Sequence, residues 1–253
     1  MAASQGALIP YLRRKRILEL LSQNEIMTLE AMQKYLAPSS ISTIRRDILL
    51  MQQENHVQML RGGAVKLAGA EEVDLPVAEK ARINTDTKER IARCAAGLVK
   101  DGETIYIDSG TTTAQMVHYL REKEITIVTS STHLLGEVSR FRGALIMLGG
   151  EVNKTLASVS GPTTDRELSE MFFDRAFIGA SGFSLNGGVS TFDMREASKK
   201  RIALSNAQIT YVMADSSKAG RNTMCKAFPL SDCILITDEE NDITRQVSAL
   251  IAP

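Results

Sequence analysis

The chain has 253 residues, of which 43% are hydrophobic and 24% are charged. These proportions are ordinary for a folded globular protein, so they exclude extensive disorder, and the length suits one large domain or two unequal ones. The apolar runs are far shorter than the ~20 residues that cross a bilayer, and the first twelve residues lack the basic start of a signal peptide. We therefore expect a cytoplasmic protein without membrane contact.

The charge is zero overall but unevenly distributed. Residues 1–66 carry nine Lys/Arg and five Asp/Glu, whereas the other 187 residues carry 21 and 25. A basic segment joined to an acidic body is typical of a chain in which one small domain contacts phosphates. The three cysteines, Cys94, Cys225 and Cys233, are scattered and form no CxxC motif, so we expect neither a disulfide framework nor a bound metal or other cofactor.

The first 66 residues are predicted to form three helices and a hairpin. Apolar residues at helical spacing predict helices over residues 13–22, from Thr28 to just before Pro38, and over about 40–53. Residues 57–60 and 64–67, separated by a Gly-Gly turn, predict a short β-hairpin. Two short helices joined by a tight turn and followed by a hairpin are typical of a winged helix-turn-helix.

The third predicted helix has the chemistry of a DNA-reading helix. Ser42, Arg45 and Arg46 are predicted to lie opposite its apolar face, where arginines chelate guanine or clamp phosphate. Asp47 is expected to orient one of the two neighbouring arginines, and Arg61 at the hairpin tip suits a phosphate or minor-groove contact. The alternative is a solvated charged face on an ordinary helical bundle. The candidate DNA-binding residues are Ser39, Ser40, Ser42, Thr43, Arg45, Arg46 and Arg61.

These motifs resemble the N-terminal domain of the DeoR family of bacterial repressors. The matching positions are Arg13, Ile17, Leu21, Ser40, Thr43, Ile44, Arg45, Arg46, Asp47 and Ile48, with a wing-like Arg-Gly-Gly-Ala-Val at residues 61–65. The turn at residues 36–40 is one residue longer than in the family pattern, which leaves open whether Ser39 or Ser40 caps the recognition helix. The resemblance implies double-stranded operator DNA as a partner and a homo-oligomer as the DNA-bound form.

Residues 67–84 are predicted to be a linker, and residues 85–253 an α/β domain. Helices are expected over 89–99, 113–120, 132–139 and 194–206, and strands over 104–107, 125–129, 145–148, 175–178, 208–214 and 233–237. Alternation of this kind predicts a largely parallel sheet covered by helices. The expected fold class is therefore α/β, with a winged helix-turn-helix domain over residues 1–66 and a larger C-terminal domain.

Small and hydroxyl residues at predicted strand ends indicate an anion-binding site. The segment 108–113, Asp-Ser-Gly-Thr-Thr-Thr, offers backbone N–H groups and hydroxyls at a helix start, without the lysine of a Walker motif or the GxGxxG of a dinucleotide fold. Ligands in open α/β sheets gather at the carboxyl ends of the strands. The alternatives are ordinary helix capping and, for Lys218, a solvated surface lysine. The candidate effector-binding residues are Asp108, Ser109, Gly110, Thr111, Thr112, Thr113, Ser130, Gly149, Gly150, Gly179, Ser181 and Lys218.

This half resembles the sensor domain of the same family, which is itself similar to ribose-5-phosphate isomerase. The matching pieces are residues 107–113, 148–151, 160–162, 177–182, 196–201 and 214–218. Ser130 departs from the family, which has Asn there, and the loss of that amide is expected to change which ligand hydroxyls are recognised. The resemblance implies a phosphorylated sugar as effector.

The sequence favours a sensor over an enzyme. An isomerase needs a carboxylate base beside its substrate, and residues 178–182 lack the acids of the related enzymes. Asp108 and Glu196 remain as carboxylates, which keeps an isomerase-like enzyme fused to a DNA-binding domain as the alternative. We expect no catalytic residues and a repressor of a sugar-utilisation operon. A structural or adaptor protein, which would bind neither DNA nor anions, has the weakest support.

Overall fold

A computed structural model describes residues 9–24, 26–53, 56–60, 62–67 and 76–253. The chain divides into two units, Met1–Val73 and Asp74–Pro253. Each has a hydrophobic core of its own, and they are considered separately below.

The described part of the first unit consists of helices and a small antiparallel sheet with strand order β1-β3-β2. In chain order the elements are α1 (Pro10–Gln23), β1 (Met27–Thr28), α2 (Leu29–Tyr35), α3 (Ile41–Gln53), β2 (Val57–Met59) and β3 (Ala64–Leu67). Gly62 and Gly63 turn the chain between β2 and β3 with φ of 90° and 81°, a conformation that glycine adopts without strain. The predicted helix-turn-helix and hairpin are thus confirmed, with β1 as an addition.

The core of this unit is formed where the helices meet the sheet. Ile17 of α1, Met32 of α2, and Ile44 and Ile48 of α3 are fully buried, and Val65 of β3 joins them. The helical spacing of these apolar residues places them on one face of each helix. The opposite face of α3 is therefore left for solvent or a partner.

The second unit is an α/β domain. Its first half comprises α4 (Val77–Lys80), α5 (Thr85–Gly97), β4 (Thr104–Ile107), α6 (Thr111–Gln115), β5 (Thr126–Thr129), β6 (Ala144–Met147), β7 (Glu151–Asn153), β8 (Ser158–Ser160) and α7 (Pro162–Ser169). Its second half comprises β9 (Phe173–Gly179), β10 (Gly182–Ser184), β11 (Gly188–Thr191), α8 (Met194–Ser205), β12 (Ala207–Met213), β13 (Cys225–Phe228), β14 (Ile234–Thr237) and β15 (Ala249–Ile251).

Seven strands form one sheet in the order β15-β14-β12-β9-β4-β5-β6, and all its pairings are parallel. Successive side chains point to opposite faces, so Ile105 and Ile107 enter one core and Tyr106 the other. Both faces are covered, as a parallel sheet requires. The predicted α/β class and largely parallel sheet are confirmed.

Three predicted segments differ from the structure. Residues 132–139 belong to a 3-10 helix, Thr132–Arg140, and the helix predicted over 113–120 begins at Thr111 and continues from Met116 as a 3-10 helix. Part of the predicted linker is α4, whose Val77 is buried and donates its N–H to the Thr155 carbonyl at 2.9 Å. Residues 68–75 of that linker lie outside the described part, and the domain boundaries stay a prediction.

Among the described residues, none of the helices combines the length and the hydrophobicity that a membrane span requires.

Candidate functional site

Helix α3 divides into a buried and an exposed face. Ile44, Asp47, Ile48 and Met51, spaced at i, i+3, i+4 and i+7, are buried. Ser42, Arg45 and Arg46 are exposed on the other side. The face that the sequence assigned to DNA is thus exposed.

The start of α3 settles which serine caps the helix. The Thr43 N–H donates to Ser40 Oγ at 3.2 Å, and that hydroxyl also lies 2.8 Å from Ser42 Oγ and 2.9 Å from Thr43 Oγ1. Ser40 is exposed, whereas Ser39 is buried. Ser40 is therefore the cap, and it places three hydroxyls together at the first turn.

The expected role of Asp47 was wrong. Its carboxylate pairs with Arg13 and Arg14 of α1, with Arg14 Nε at 3.3 Å from Oδ1, and not with Arg45 or Arg46. The reason is helical geometry: Asp47 shares the inward face with Ile44 and Ile48, one hundred degrees of turn away from its sequence neighbour Arg46. Arg61, the predicted wing contact, lies outside the described residues.

At the carboxyl end of the parallel sheet, several strands contribute polar side chains to one buried group. Asp108 follows β4 with 0% exposure; its carboxylate accepts from Lys200 Nζ of α8 and, at 3.2 Å, from the Gly179 N–H at the end of β9. Tyr106 donates to Asp108 Oδ1 at 3.4 Å and lies 3.2 Å from Ser130 Oγ, which follows β5. Asp108, Ser130 and Gly179 are thus brought together, as strand-end positions predict.

A second ion pair continues this group. Lys199 Nζ lies 2.9 Å from Glu196 Oε1, 2.7 Å from Ser158 Oγ and 3.1 Å from Ser130 Oγ. Ser109 Oγ donates to Glu196 Oε2 at 3.0 Å. We call these residues together the inner polar cluster: Tyr106, Asp108, Ser109, Ser130, Ser158, Glu196, Lys199 and Lys200.

Two members of the inner polar cluster have shifted pKa values, and their neighbours in the cluster account for much of each shift. Burial raises the pKa of Glu196, but the ammonium groups of Lys199 and Lys200 outweigh burial, so that pKa lies below its ordinary value. Burial, together with the Asp108 carboxylate, holds the pKa of Tyr106 well above its ordinary value, so its hydroxyl keeps its proton. The cluster therefore buries two lysine–carboxylate ion pairs, Lys199–Glu196 and Lys200–Asp108.

The predicted phosphate cradle is only partly open. Thr113 is buried and donates to the Asp108 and Gly110 carbonyls at 2.7 and 3.0 Å, which makes it a capping residue of the turn. Thr112 is also buried, whereas Ser109, Gly110 and Thr111 are half-buried. The accessible part of this segment is therefore its middle, residues 109–111.

Lys218 has a lysine neighbour that the sequence analysis missed. Burial lowers the pKa of Lys88, Asp215 partly offsets that effect, and the positive charges of Lys218 and Lys80 lower the pKa further. Lys88 donates to the Lys80 carbonyl, and Asp215 accepts from Asn84 Nδ2 at 3.2 Å. The strand order places Asp215, after β12, and Asp108, after β4, on either side of β9 with its terminal Gly179.

Three other candidates have local structural roles. The Gly149 N–H donates to Glu167 Oε2 at 2.7 Å, and a Cβ on Gly150 would lie 2.2 Å from Thr164 Oγ1, so both glycines allow α7 to approach. The Ser181 N–H donates to the Ser190 carbonyl at 3.0 Å. None of these bonds indicates a ligand.

Glu196 was noted in the sequence only as a possible catalytic carboxylate, and Lys88, Lys199 and Lys200 were missed although they had a weak signal. Glu196, Lys199 and Lys200 are spaced at i, i+3 and i+4, which puts one acid and two lysines on a single face of α8. Lys88 lies near the N-terminus of α5, where the helix dipole disfavours a positive charge. Within the described part of the chain, no group of three or more His, Cys, Asp or Glu residues is arranged to bind a metal.

Two domain families match the chain. The DeoR-like helix-turn-helix domain matches residues 13–68, and the DeoR C terminal sensor domain matches residues 83–239. The first match lies within the first unit and the second within the second unit.

Relatives that match most of the chain bear regulator names. The uncharacterized HTH-type transcriptional regulator FruR of Bacillus subtilis is 29% identical over 92% of each chain, and the glycerol-3-phosphate regulon repressor of Escherichia coli is 30% identical over 84% of each chain. The lactose phosphotransferase system repressor of Staphylococcus epidermidis is 26% identical over 81% of this chain and 82% of its own. A solved ribose 5-phosphate isomerase A from Methanocaldococcus jannaschii covers 54% of this chain and 55% of its own, at 22% identity and a TM-score of 0.40.

Proposed function

Because the chain belongs to the DeoR family of transcriptional regulators, we propose that it represses a sugar-utilisation operon and that a phosphorylated sugar controls its binding to operator DNA. The names of two relatives, repressors of a glycerol-3-phosphate regulon and of a lactose phosphotransferase system, support this proposal. Operator DNA and phosphorylated sugars are both found in the cytoplasm, where we place this activity.

The DNA-binding part of this proposal rests on the division of α3 into a buried face and an exposed face. Arg45 and Arg46 are exposed side by side on a helix whose other face is fixed in the core, so they can enter a major groove without unfolding anything. Each guanidinium can chelate a guanine or clamp a phosphate. Ser40, Ser42 and Thr43 are small enough to let the helix start approach the DNA backbone, and Ser40 fits that role better than the buried Ser39. A contact from Arg61 stays a prediction.

For the effector we propose the carboxyl edge of the parallel sheet around Gly179. Backbone N–H groups at Gly110 and Thr111, together with Lys88 and Lys218, would hold the phosphate, since an anion is favoured by free N–H donors and nearby ammonium groups. The hydroxyl-rich part of the inner polar cluster would then face the sugar. Gly149, Gly150 and Ser181 are weaker candidates because their bonds are explained by packing.

The isomerase alternative is not favoured. The relatives are named as regulators, and both remaining carboxylates are already engaged: Asp108 with Lys200, and Glu196 with Lys199. A carboxylate that is paired with a buried ammonium group is a weak base, whereas proton transfer between sugar carbons requires a strong one.

Control by the effector is a coupling between two binding equilibria. A ligand that binds one state of the sensor unit more tightly shifts the population that holds DNA. We propose that residues 67–84 transmit this preference. Two recognition helices in a homo-oligomer would match repeated half-sites.

The test is DNA binding by the intact chain, measured by fluorescence anisotropy on the DNA upstream of its own gene at fixed salt. Replacing Arg45 and Arg46 by alanine is expected to weaken binding at least about tenfold, because each arginine supplies one of the strongest available base or phosphate contacts. A matched control removes two exposed arginines of the sensor unit, Arg140 and Arg142, and is expected to bind as the natural chain does. Unchanged affinity in the first variant would contradict the proposal.

A further inference from the structure

Lys199 is a fully buried lysine whose partners are all internal. Its side chain has 0% exposure, and its ammonium group lies within hydrogen-bond distance of the Val159 carbonyl at 2.8 Å as well as of Ser130, Ser158 and Glu196. A buried ammonium is strongly unfavourable unless an anion and several acceptors surround it. Lys199 and Glu196 therefore stabilise each other in their charged forms.

The ionised carboxylate fixes where the neighbouring protons lie. A carboxylate can only accept hydrogen bonds, so Ser109, whose Oγ is 3.0 Å from Glu196 Oε2, must donate its proton there. Ser158 Oγ accepts from Lys199 and lies 2.8 Å from both Glu196 Oε1 and Ser109 Oγ. Whichever of these receives the Ser158 proton, the single proton of Ser109 is committed to Glu196. Ser109 Oγ can then act toward any further group only as an acceptor.

Ser109 is also the place where this network can meet a ligand. It is half-buried, whereas Ser158, Glu196 and Lys199 are buried. A phosphate monoester has a second pKa of about 6 and is mainly a dianion at pH 7.5, with acceptor oxygens only. Ser109 Oγ can only accept a hydrogen bond, and the Glu196 carboxylate lies next to it. This arrangement repels a phosphate dianion and attracts a hydroxyl, which can donate.

We propose that Ser109 Oγ accepts a hydrogen bond from a hydroxyl of the effector, and that Glu196 and Lys199 are positioning residues that impose this polarity. Ser109 then belongs to the sugar end of the site, although it lies in the segment that the sequence assigned to phosphate. The phosphate lies toward Gly110, Thr111, Lys88 and Lys218. This inference rests on the proposed function, because it requires an effector with both a phosphate and hydroxyl groups.

The test compares two kinds of ligand by isothermal titration calorimetry on the full chain at pH 7.5. The probes are inorganic phosphate, ribose 5-phosphate, fructose 1-phosphate and glycerol 3-phosphate. The measured quantity is the preference, defined as the affinity for the tightest phosphorylated polyol divided by that for inorganic phosphate. Ser109→Ala is expected to lower the preference about five- to tenfold, the value of one hydrogen bond, and to leave phosphate affinity within about twofold. Ser198→Ala is the matched control. It removes a hydrogen bond of 2.7 Å between Ser198 Oγ of α8 and the Asp165 carboxylate of α7, and it should change neither the preference nor the phosphate affinity.

A second variant tests the positioning role. Glu196→Gln/Lys199→Met removes both charges together, so neither is left buried alone. It is expected to lower the preference as Ser109→Ala does, and adding Ser109→Ala to it should lower the preference no further, because both changes remove the same interaction. If Glu196 and Lys199 had a merely structural role, the double variant would weaken the binding of all four probes equally, and its effect would add to that of Ser109→Ala.

The remaining outcomes are distinguishable. Three results would overturn this inference and leave the proposed function standing. They are equal losses of affinity for inorganic phosphate and for the phosphorylated polyols, additive effects of Ser109→Ala and the double variant, and a natural chain that shows no preference. Failure of all four probes to bind would overturn the proposed function and this inference with it.

Discussion

At the scale of single residues, Asp47 lies in a motif that was identified correctly, but the role expected for this residue was wrong. The Arg-Arg-Asp sequence places three charges in succession, but a helix separates neighbours by about one hundred degrees. Asp47 consequently lies with the core residues and holds Arg13, which is itself buried. Part of the basic character of α1 thus stabilises the domain and is not available to DNA.

Asp47→Ala is expected to lower the free energy of unfolding of the first unit by about 3 kcal/mol, because it removes the buried carboxylate that pairs with the buried Arg13 guanidinium. Urea unfolding followed by far-ultraviolet circular dichroism measures the change. Glu19→Ala, which removes an exposed pair with Arg16, is the control and should cost about 0.5 kcal/mol or less. Equal effects of the two variants would show that the Asp47 pair is no more than a surface contact.

Glu196 makes the stability of the sensor unit depend on pH. Its pKa is depressed in the folded protein, so it contributes stability above its ordinary value of 4.5, and this contribution is lost as pH falls through the lower folded value. The unfolding free energy should therefore decline below pH 4.5, less steeply in Glu196→Gln/Lys199→Met. Chemical unfolding of both proteins between about pH 3 and 7 measures this difference. Parallel pH profiles would mean that Glu196 titrates normally.

At the scale of elements, the start of the recognition helix has a direct test. Ser40→Ala is expected to lower the unfolding free energy by about 1 kcal/mol, because the Thr43 N–H loses its acceptor. Ser39→Ala should change it little, since the buried Ser39 hydroxyl has no hydrogen-bond partner within the described residues. Thermal unfolding of the two variants side by side decides between the serines, and a larger effect at position 39 would move the cap there.

Elements with a helical apolar period or a continuous apolar run could be predicted from the sequence, and strands of small or polar residues could not. Helix α3 has buried residues at helical spacing, and strands β4, β5, β9 and β12 contain apolar runs that are buried. Strands β7, β8, β10, β11 and β13 have three or four residues each and many small or polar ones. Their conformation is set by pairing partners distant in the chain, which no local pattern reveals.

The same limit applies to the site. The strand-end rule predicted that Asp108, Ser130 and Gly179 would converge, because it requires only that the strands be parallel. Lys199 could not be assigned in this way: its contacts join α8 to residues after β5 and on β8, and they depend on the strand order as well. Lys199 and Lys200 were therefore visible in the sequence only as charges on a helix within the family-like segment 196–201.

At the scale of the whole molecule, the boundary of the sensor unit can be tested by truncation. We propose that it begins before Val77, since that side chain is buried and the Lys80 carbonyl accepts from Lys88. A fragment of residues 76–253 is expected to bind phosphorylated sugars without binding DNA. A fragment of residues 85–253, the boundary predicted from the sequence, is expected to melt about 5–10 °C lower, from the loss of one buried valine and the partner of a buried lysine. Differential scanning fluorimetry measures this difference, and equal melting temperatures would place the boundary at 85.

The inner polar cluster has a consequence for how this protein can change over time. Its two ammonium groups and two carboxylates sum to zero, so replacing any one of them leaves an unbalanced charge out of water. Neutral drift at positions 196 and 199 is therefore expected to proceed by paired exchanges, with both charges kept or both lost. Aligned relatives should show these two positions covarying, and Ser130, which touches Lys199, should follow them.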